Sequence, residues 1–133
     1  MRLTTKSEYT LLSLIYLGRH KDKEYVRIEE ISSHYGISEK YLRQLFNLLR
    51  EHKLIHAKAG IHGGYHLAKK PSKISVASVV RLMDGPLAAT GSVSKYFFSH
   101  DKFEKEKKML LVLKDIRNYI AYKLEHLTIE DLI

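Results

Sequence analysis

A single glycine, Gly36, separates two short amphipathic segments, and that break governs how the rest of the chain can fold. Before it, Arg27 to Tyr35 carries Ile28, Ile31 and Tyr35 at i, i+3 and i+7, one face of a helix. A tight turn between helices often needs a positive φ, which glycine adopts without steric cost. Ile37 can anchor the turn in a core. Ser38 then serves as N-cap for a second segment, Glu39 to His52. Leu42, Leu45, Phe46 and Leu49 form its apolar stripe. Glu39, Lys40, Arg43, Gln44, Asn47 and Arg50 form the opposite face. Two helices joined by a glycine turn, the second with a basic and amide-rich face, match a helix-turn-helix unit.

The following residues extend this unit. Lys53 to Lys58 reads as a strand, Ala59 to Gly64 as a glycine-rich loop, and Tyr65 to Ala68 as a returning strand. Such a hairpin after the second helix is the wing of a winged helix. Upstream, Lys6 to Leu17 is apolar nearly all round, which suits a central helix. Thr5 and Glu8 have capping-box spacing at its start, and Gly18 fits a C-terminal cap. Downstream, Ser75 caps Val76 to Asp84, and Gly85-Pro86 ends that helix. Leu87 to His100 has weak periodicity and reads as a loop. Asp101 and Glu104 repeat the capping-box spacing before a long helix, Lys102 to Glu125, of about 36 Å. Leu110, Leu113, Ile116, Ile120 and Leu124 make its stripe, too long for a small core to cover. The same helix of a second subunit is the simplest cover. Thr128 caps a last turn, Ile129 to Ile133. The expected fold is mainly α with a small β-hairpin wing, in one compact domain. Residues 1–86 form the winged-helix DNA-binding region, and 87–133 form a loop and a long dimerisation helix.

Charge sharpens the functional reading. The net charge is +8, yet residues 1–80 carry 14 basic and 7 acidic residues, and residues 81–133 carry 9 and 8. Between 38 and 73 there are eight basic residues against Glu39 and Glu51. A basic footprint on one part of a domain suits a polyanionic partner. Cysteine is absent, which removes disulfides, thiol catalysis and thiolate metal sites. No signal peptide follows Met1, no stretch could span a membrane, and a cytoplasmic location is expected.

These features converge on double-stranded DNA as the partner. Ser38, Lys40, Tyr41, Arg43 and Gln44 lie near the N-terminus of the second helix, where side chains reach base edges. Arg43 suits guanine O6/N7 and Gln44 suits adenine N6/N7. Lys40, Asn47 and Arg50 are placed for phosphates, which position the protein without reading sequence. Lys58, His62 and the Gly63–Gly64 backbone would carry wing contacts. Thr4, Thr5 and Lys6 would meet phosphate at a helix start. The loop Gly60–Gly64 lacks the Gly-Lys-Ser/Thr ending of a nucleotide-binding loop. His56, His62 and His66 could gather on the hairpin, but their spacing matches no metal site. No catalytic motif is visible, so the chain is not expected to be an enzyme. A winged-helix module that binds an acidic partner protein rather than DNA shares the same charge pattern. A specific DNA reader separates from it by a gap between operator and random duplex.

Three stretches resemble one family: Met1-Arg2-Leu3-Thr4-Thr5-Lys6-Ser7-Glu8-Tyr9, Ile37-Ser38-Glu39-Lys40-Tyr41-Leu42-Arg43-Gln44-Leu45-Phe46, and Gly63-Gly64-Tyr65-His66-Leu67. Together they look like the Rrf-two family of bacterial winged-helix transcriptional regulators, typified by IscR, NsrR and CymR. The resemblance implies a homodimer with crossed C-terminal helices, a dyad-symmetric operator and repression. Cluster-sensing members carry three cysteines between the fourth helix and the long one. Here residues 87–106 contain none, so no iron–sulfur cluster is expected and the chain resembles the cysteine-free branch. Glu8, which matches an acidic cluster ligand of some members, is left with a capping role. A regulatory partner protein or a small effector would then supply the signal, and Phe97, Phe98 and Phe103 either line an effector pocket or belong to the core. Many members have an arginine where this chain has Ala59, and the cluster-binding regulator typically has an acidic residue where this chain has Arg43. A different operator preference follows.

Overall fold

In the computed structural model, which describes residues 1–133, most of the winged helix is arranged around the first helix. That helix, α1 (Thr5–Arg19), packs against four later helices and the second strand of the hairpin. Leu14 and Leu17 bury their apolar side chains, while the small residues Ser7, Thr10 and Ser13 let neighbouring backbones approach. Gly18 lies inside α1 rather than ending it, and His20 is the C-cap. Its place is set by packing: a Cβ there would come within 3.0 Å of Ile133 Cδ1.

The glycine turn forms as expected. α2 (Ile28–Tyr35) ends at Gly36, whose φ of 68° is left-handed, and α3 (Glu39–Glu51) begins after Ser38. Ser38 Oγ accepts a hydrogen bond from Tyr41 N at 3.3 Å. Leu42, Leu45, Phe46 and Leu49 are buried. Burial of Phe46 and its edge-on contact with Tyr65, 4.7 Å between centroids, fix α3 to the hairpin. β1 (Ile55–Lys58) and β2 (Gly64–Leu67) pair antiparallel, Ile55 with Leu67 and Lys58 with Gly64. The strand starts two residues later than expected because Lys53 takes φ 58° as α3 ends. Val26 exchanges two 2.8 Å backbone hydrogen bonds with Tyr65, so the approach to α2 acts as a third strand.

Capping of α1 differs from the Thr5–Glu8 expectation. Thr4 occupies the N-cap, and its side chain does not turn back to the helix. Its N–H donates to Asp84 Oδ2 at 2.8 Å and its hydroxyl donates to Asp84 Oδ1. Asp84 ends α4 (Val76–Asp84), itself capped by Ser75, whose Oγ accepts from Ser78 N. A carboxylate from a distant helix thus terminates α1, and Glu8 is exposed. Partial burial raises the Asp84 carboxyl. The adjacent Ser7 hydroxyl, the Thr4 donors and the Lys6 charge outweigh that and hold it below its ordinary value. Ser7 Oγ itself meets no partner at full hydrogen-bond geometry. Asp84→Ala is expected to cost about 1 kcal/mol, the usual worth of a cap. With a lowered folded pKa, this contribution is complete above the ordinary carboxyl value of 3.8 and disappears as pH falls through the folded value. Thermal melts of both forms should converge in acid; a constant gap would refute the assignment.

The C-terminal helix is shorter than expected. Asp101 caps a 3-10 turn, Lys102–Lys105, accepting from Phe103 N and Ser92 N at 2.9 Å. Glu104 faces His100 instead of completing a capping box. Glu106, at φ −113° and ψ 81°, breaks the path, and α5 (Lys107–Glu125) spans about 28 Å. Of the five residues assigned to a subunit contact, four turn toward their own chain. Leu113 is buried with Ala88 and Val93, and Leu110 packs beside them. Ile120 and Leu124 cover Val76, Val80 and Leu87. Ile116 faces outward with Met109, Val112 and Tyr119, all exposed and on one helical face. α6 (Ile129–Leu132) returns to α1 and carries the capping box of Thr128 and Asp131. Ile129 is fully buried in the winged-helix core, so residues after 86 help to complete that core. Phe97, Phe98 and Phe103 are exposed rather than core.

Candidate nucleic-acid interface

The amphipathic pattern of α3 puts Lys40, Arg43, Gln44, Asn47 and Arg50 on solvent. Two predicted neighbours have internal duties as well. Ser38 caps the helix, and Tyr41 packs edge-on against Tyr9 with centroids 5.7 Å apart. Arg43 lies 3.8 Å from both Glu29 and Glu39, and each pair is about half exposed. Such solvated pairs are worth about 0–1 kcal/mol, so Arg43 is free to exchange a carboxylate for a base or phosphate.

A cleft of about 460 Å³ separates α3 from the hairpin. Arg27, Arg43, Arg50 and Lys58 line it, with Glu29 as the one acidic side chain. Sequence reasoning missed Arg27, which looked like the start of a helix. Its guanidinium donates to Ile61 O at 2.9 Å and lies 3.5 Å from Glu29, tying α2 to the wing tip. Lys58 sits 3.9 Å from Glu24 and 5.3 Å above the Tyr25 ring. Ile61 and His62 are exposed at the tip.

The wing glycines serve the wing itself. Gly63 is buried, and a Cβ there would lie 2.0 Å from Lys58 O. Gly64 has φ 146°, and a Cβ there would lie 2.4 Å from Val26 O. Both permit close backbone approach inside the hairpin. At the start of α1, Thr5 and Lys6 are exposed, whereas both Thr4 donors are occupied by Asp84. His56 and His66 face each other across the strands at 5.1 Å. Burial first, and the His56 charge second, push His66 below its ordinary value. His62 does not join them, and no three His, Asp or Glu side chains are grouped to hold a metal. With no thiolate in the chain, residues 87–106 do not fit the donor set of an iron–sulfur cluster.

A helix-turn-helix with a cationic outer helix and an adjoining wing of the same charge defines a winged helix of the transcription-regulator class. The Rrf2 family model, described as iron-dependent transcriptional regulators, matches residues 3–133. The chain belongs to the Rrf2 family, the one its sequence resembles. It is 39% identical over 90 residues to the HTH-type transcriptional regulator IscR of Sodalis glossinidius, covering 68% of this chain and 54% of that protein. It is also 39% identical over 84 residues to protein rrf2 of Nitratidesulfovibrio vulgaris, covering 63% and 56%. The chain thus spans little more than half the length of these relatives. Among solved structures, CymR, the global cysteine regulator of B. subtilis, superposes with a TM-score of 0.80 at 26% identity, over 99% of this chain and 95% of that one. IscR of T. potens gives 0.70 at 27%, over 99% and 85%. These relatives are named as regulators, not as enzymes. No helix is long and apolar enough to cross a membrane.

Proposed function

We propose that this protein is a dimeric, cytoplasmic, sequence-specific DNA-binding regulator that represses transcription and works without an iron–sulfur cluster. The observation that carries the reading is the exposed face of α3, basic and amide-rich, set beside a cleft lined by three arginines and a lysine. Gln44 and Arg43 read base edges, while Lys40, Asn47, Arg50, Lys58, Lys6 and Arg27 hold phosphates. The outward stripe of α5 is covered by the same helix of a second copy. That arrangement sets two recognition helices about 34 Å apart on successive major grooves. Absence of thiolates supports the cluster-free reading, and a stoichiometric iron signal in protein purified from its host would overturn it.

Mobility-shift titration at several salt concentrations tests DNA recognition. Operator affinity should exceed that for random duplex by about a thousandfold or more, with a steep salt slope on both. Salt dependence without that gap would instead favour an acidic protein partner. Arg43→Ala should lower operator affinity by about 1–3 kcal/mol and relax preference at one base pair. An equal loss on random duplex would make Arg43 a phosphate contact.

A further inference from the structure

A second cleft lies away from α3 and the wing, between the 94–97 segment, the end of α4 and the C-terminal half of α5. Its volume is about 170 Å³, below the range of about 300–1,000 Å³ of drug-sized sites and suited to a small metabolite. Arg81, Lys95 and Arg117 line it together with Glu125. Arg81 donates to Glu125 at 2.7 Å, and that bond leads the causes that hold the Glu125 carboxyl below its ordinary value. Arg81 also lies 4.8 Å from the centre of the Tyr96 ring. Arg117 is positioned by neutral groups alone. It donates to Val93 O at 2.9 Å and to Asn118 Oδ1 at 2.7 and 3.0 Å. Lys95 is exposed and contacts the Tyr96 ring, and its charge, after that of Arg81, also favours the ionised Glu125 carboxyl. Three cations therefore face one anion in a partly enclosed site with aromatic walls from Tyr96 and Tyr122. A guanidinium held in place by carbonyls keeps its charge and its remaining N–H donors for an incoming anion.

We propose that this cleft binds a small organic dianion, a dicarboxylate or a phosphate monoester. One anionic group pairs with Arg117 and Lys95. The other competes with Glu125 for Arg81. Because Arg81 precedes Asp84 on α4 and Glu125 ends α5, the ligand acts on the joint between the winged helix and the outward-facing helix. Occupancy does not depend on DNA recognition, and the test is run without DNA.

The isotope-labelled chain is titrated with succinate, with glycerol phosphate and with uncharged succinamide at constant ionic strength, and amide shifts are followed. Saturable shifts confined to residues 81, 94–97 and 117–125 with either dianion, and none with succinamide, are expected. A response to one dianion alone identifies the class. Arg117→Gln should weaken binding about tenfold, the worth of one charge-assisted hydrogen bond. Lys95→Gln should weaken it in the same direction; its side chain is exposed and the hydrogen bond to Val93 O belongs to Arg117, so this variant separates ligand loss from disturbance of the Val93 loop. Shifts centred on α3 and the wing, an affinity in both variants unchanged from that of the unsubstituted chain, or no saturable shift with either dianion would overturn the proposal.

Discussion

Ile116→Asp is expected to leave the fold intact and convert the protein to a monomer. Ile116 is 45% exposed and lies in the outward stripe of α5, between Val112 and Tyr119, while Leu113 and Ile120 hold the helix to its own chain. The substitution removes no core contact, so stability should change by no more than about 0.5 kcal/mol. In a two-fold interface every substitution occurs twice, and two carboxylates would be buried without partners. Removing such charges from water costs several kcal/mol each. The monomer then loses the second half-site, and with it the gain from a high effective concentration, so operator affinity should fall by about a hundredfold or more. Sedimentation and mobility shift measure the two effects. Dimers that persist in Ile116→Asp would remove the outward stripe from the interface.

Gly63→Ala should damage the wing far more than Gly60→Ala. At Gly63 the added Cβ would meet Lys58 O at 2.0 Å and Ala59 O at 2.8 Å, both backbone atoms that no rotamer change can move. The loop must open, and overpacking of this kind costs about 1–3 kcal/mol. Opening also displaces Lys58 and the Ile61 carbonyl that receives Arg27. Operator affinity should drop about tenfold or more on top of the stability loss, since wing and cleft move together. At Gly60 a Cβ meets nothing within 4 Å, and the cost is confined to its φ of 102°. Melting curves and binding of the two variants should therefore separate. Equal behaviour would show that close packing inside the hairpin does not set the choice of glycine at position 63.

Local chemistry was readable where one residue acts on its neighbours. Ser38 and Ser75 cap the helices they precede, and Gly36 takes the left-handed turn, because each effect spans three residues or fewer. The α3 faces were equally plain, since its buried and charged residues alternate cleanly at helical spacing. Long-range chemistry was not. Asp84 capping α1 joins residues eighty positions apart, and nothing near Thr4 announces it. Arg27 reads as a helix start until the wing tip is seen beside it. In α5 the run Met109 to Leu113 is apolar on every side, so periodicity cannot tell which stripe meets the chain itself. The Leu113 and Ile120 stripe turned inward because Ala88, Val93 and Leu87 lie there to receive it.

The position of Ile129 has a consequence for how the chain acquires its structure during synthesis. The oldest helix, α1, cannot finish burying its inner face until α6, more than a hundred residues younger, has left the ribosome. Until then Leu14, Leu17 and their partners form a half-closed nucleus with sticky apolar surface. Closure is a late event of long sequence separation, the kind that slows folding and lengthens exposure to aggregation. A nascent chain stalled before residue 129 would therefore be a client for chaperones, even with its helix-turn-helix already emerged.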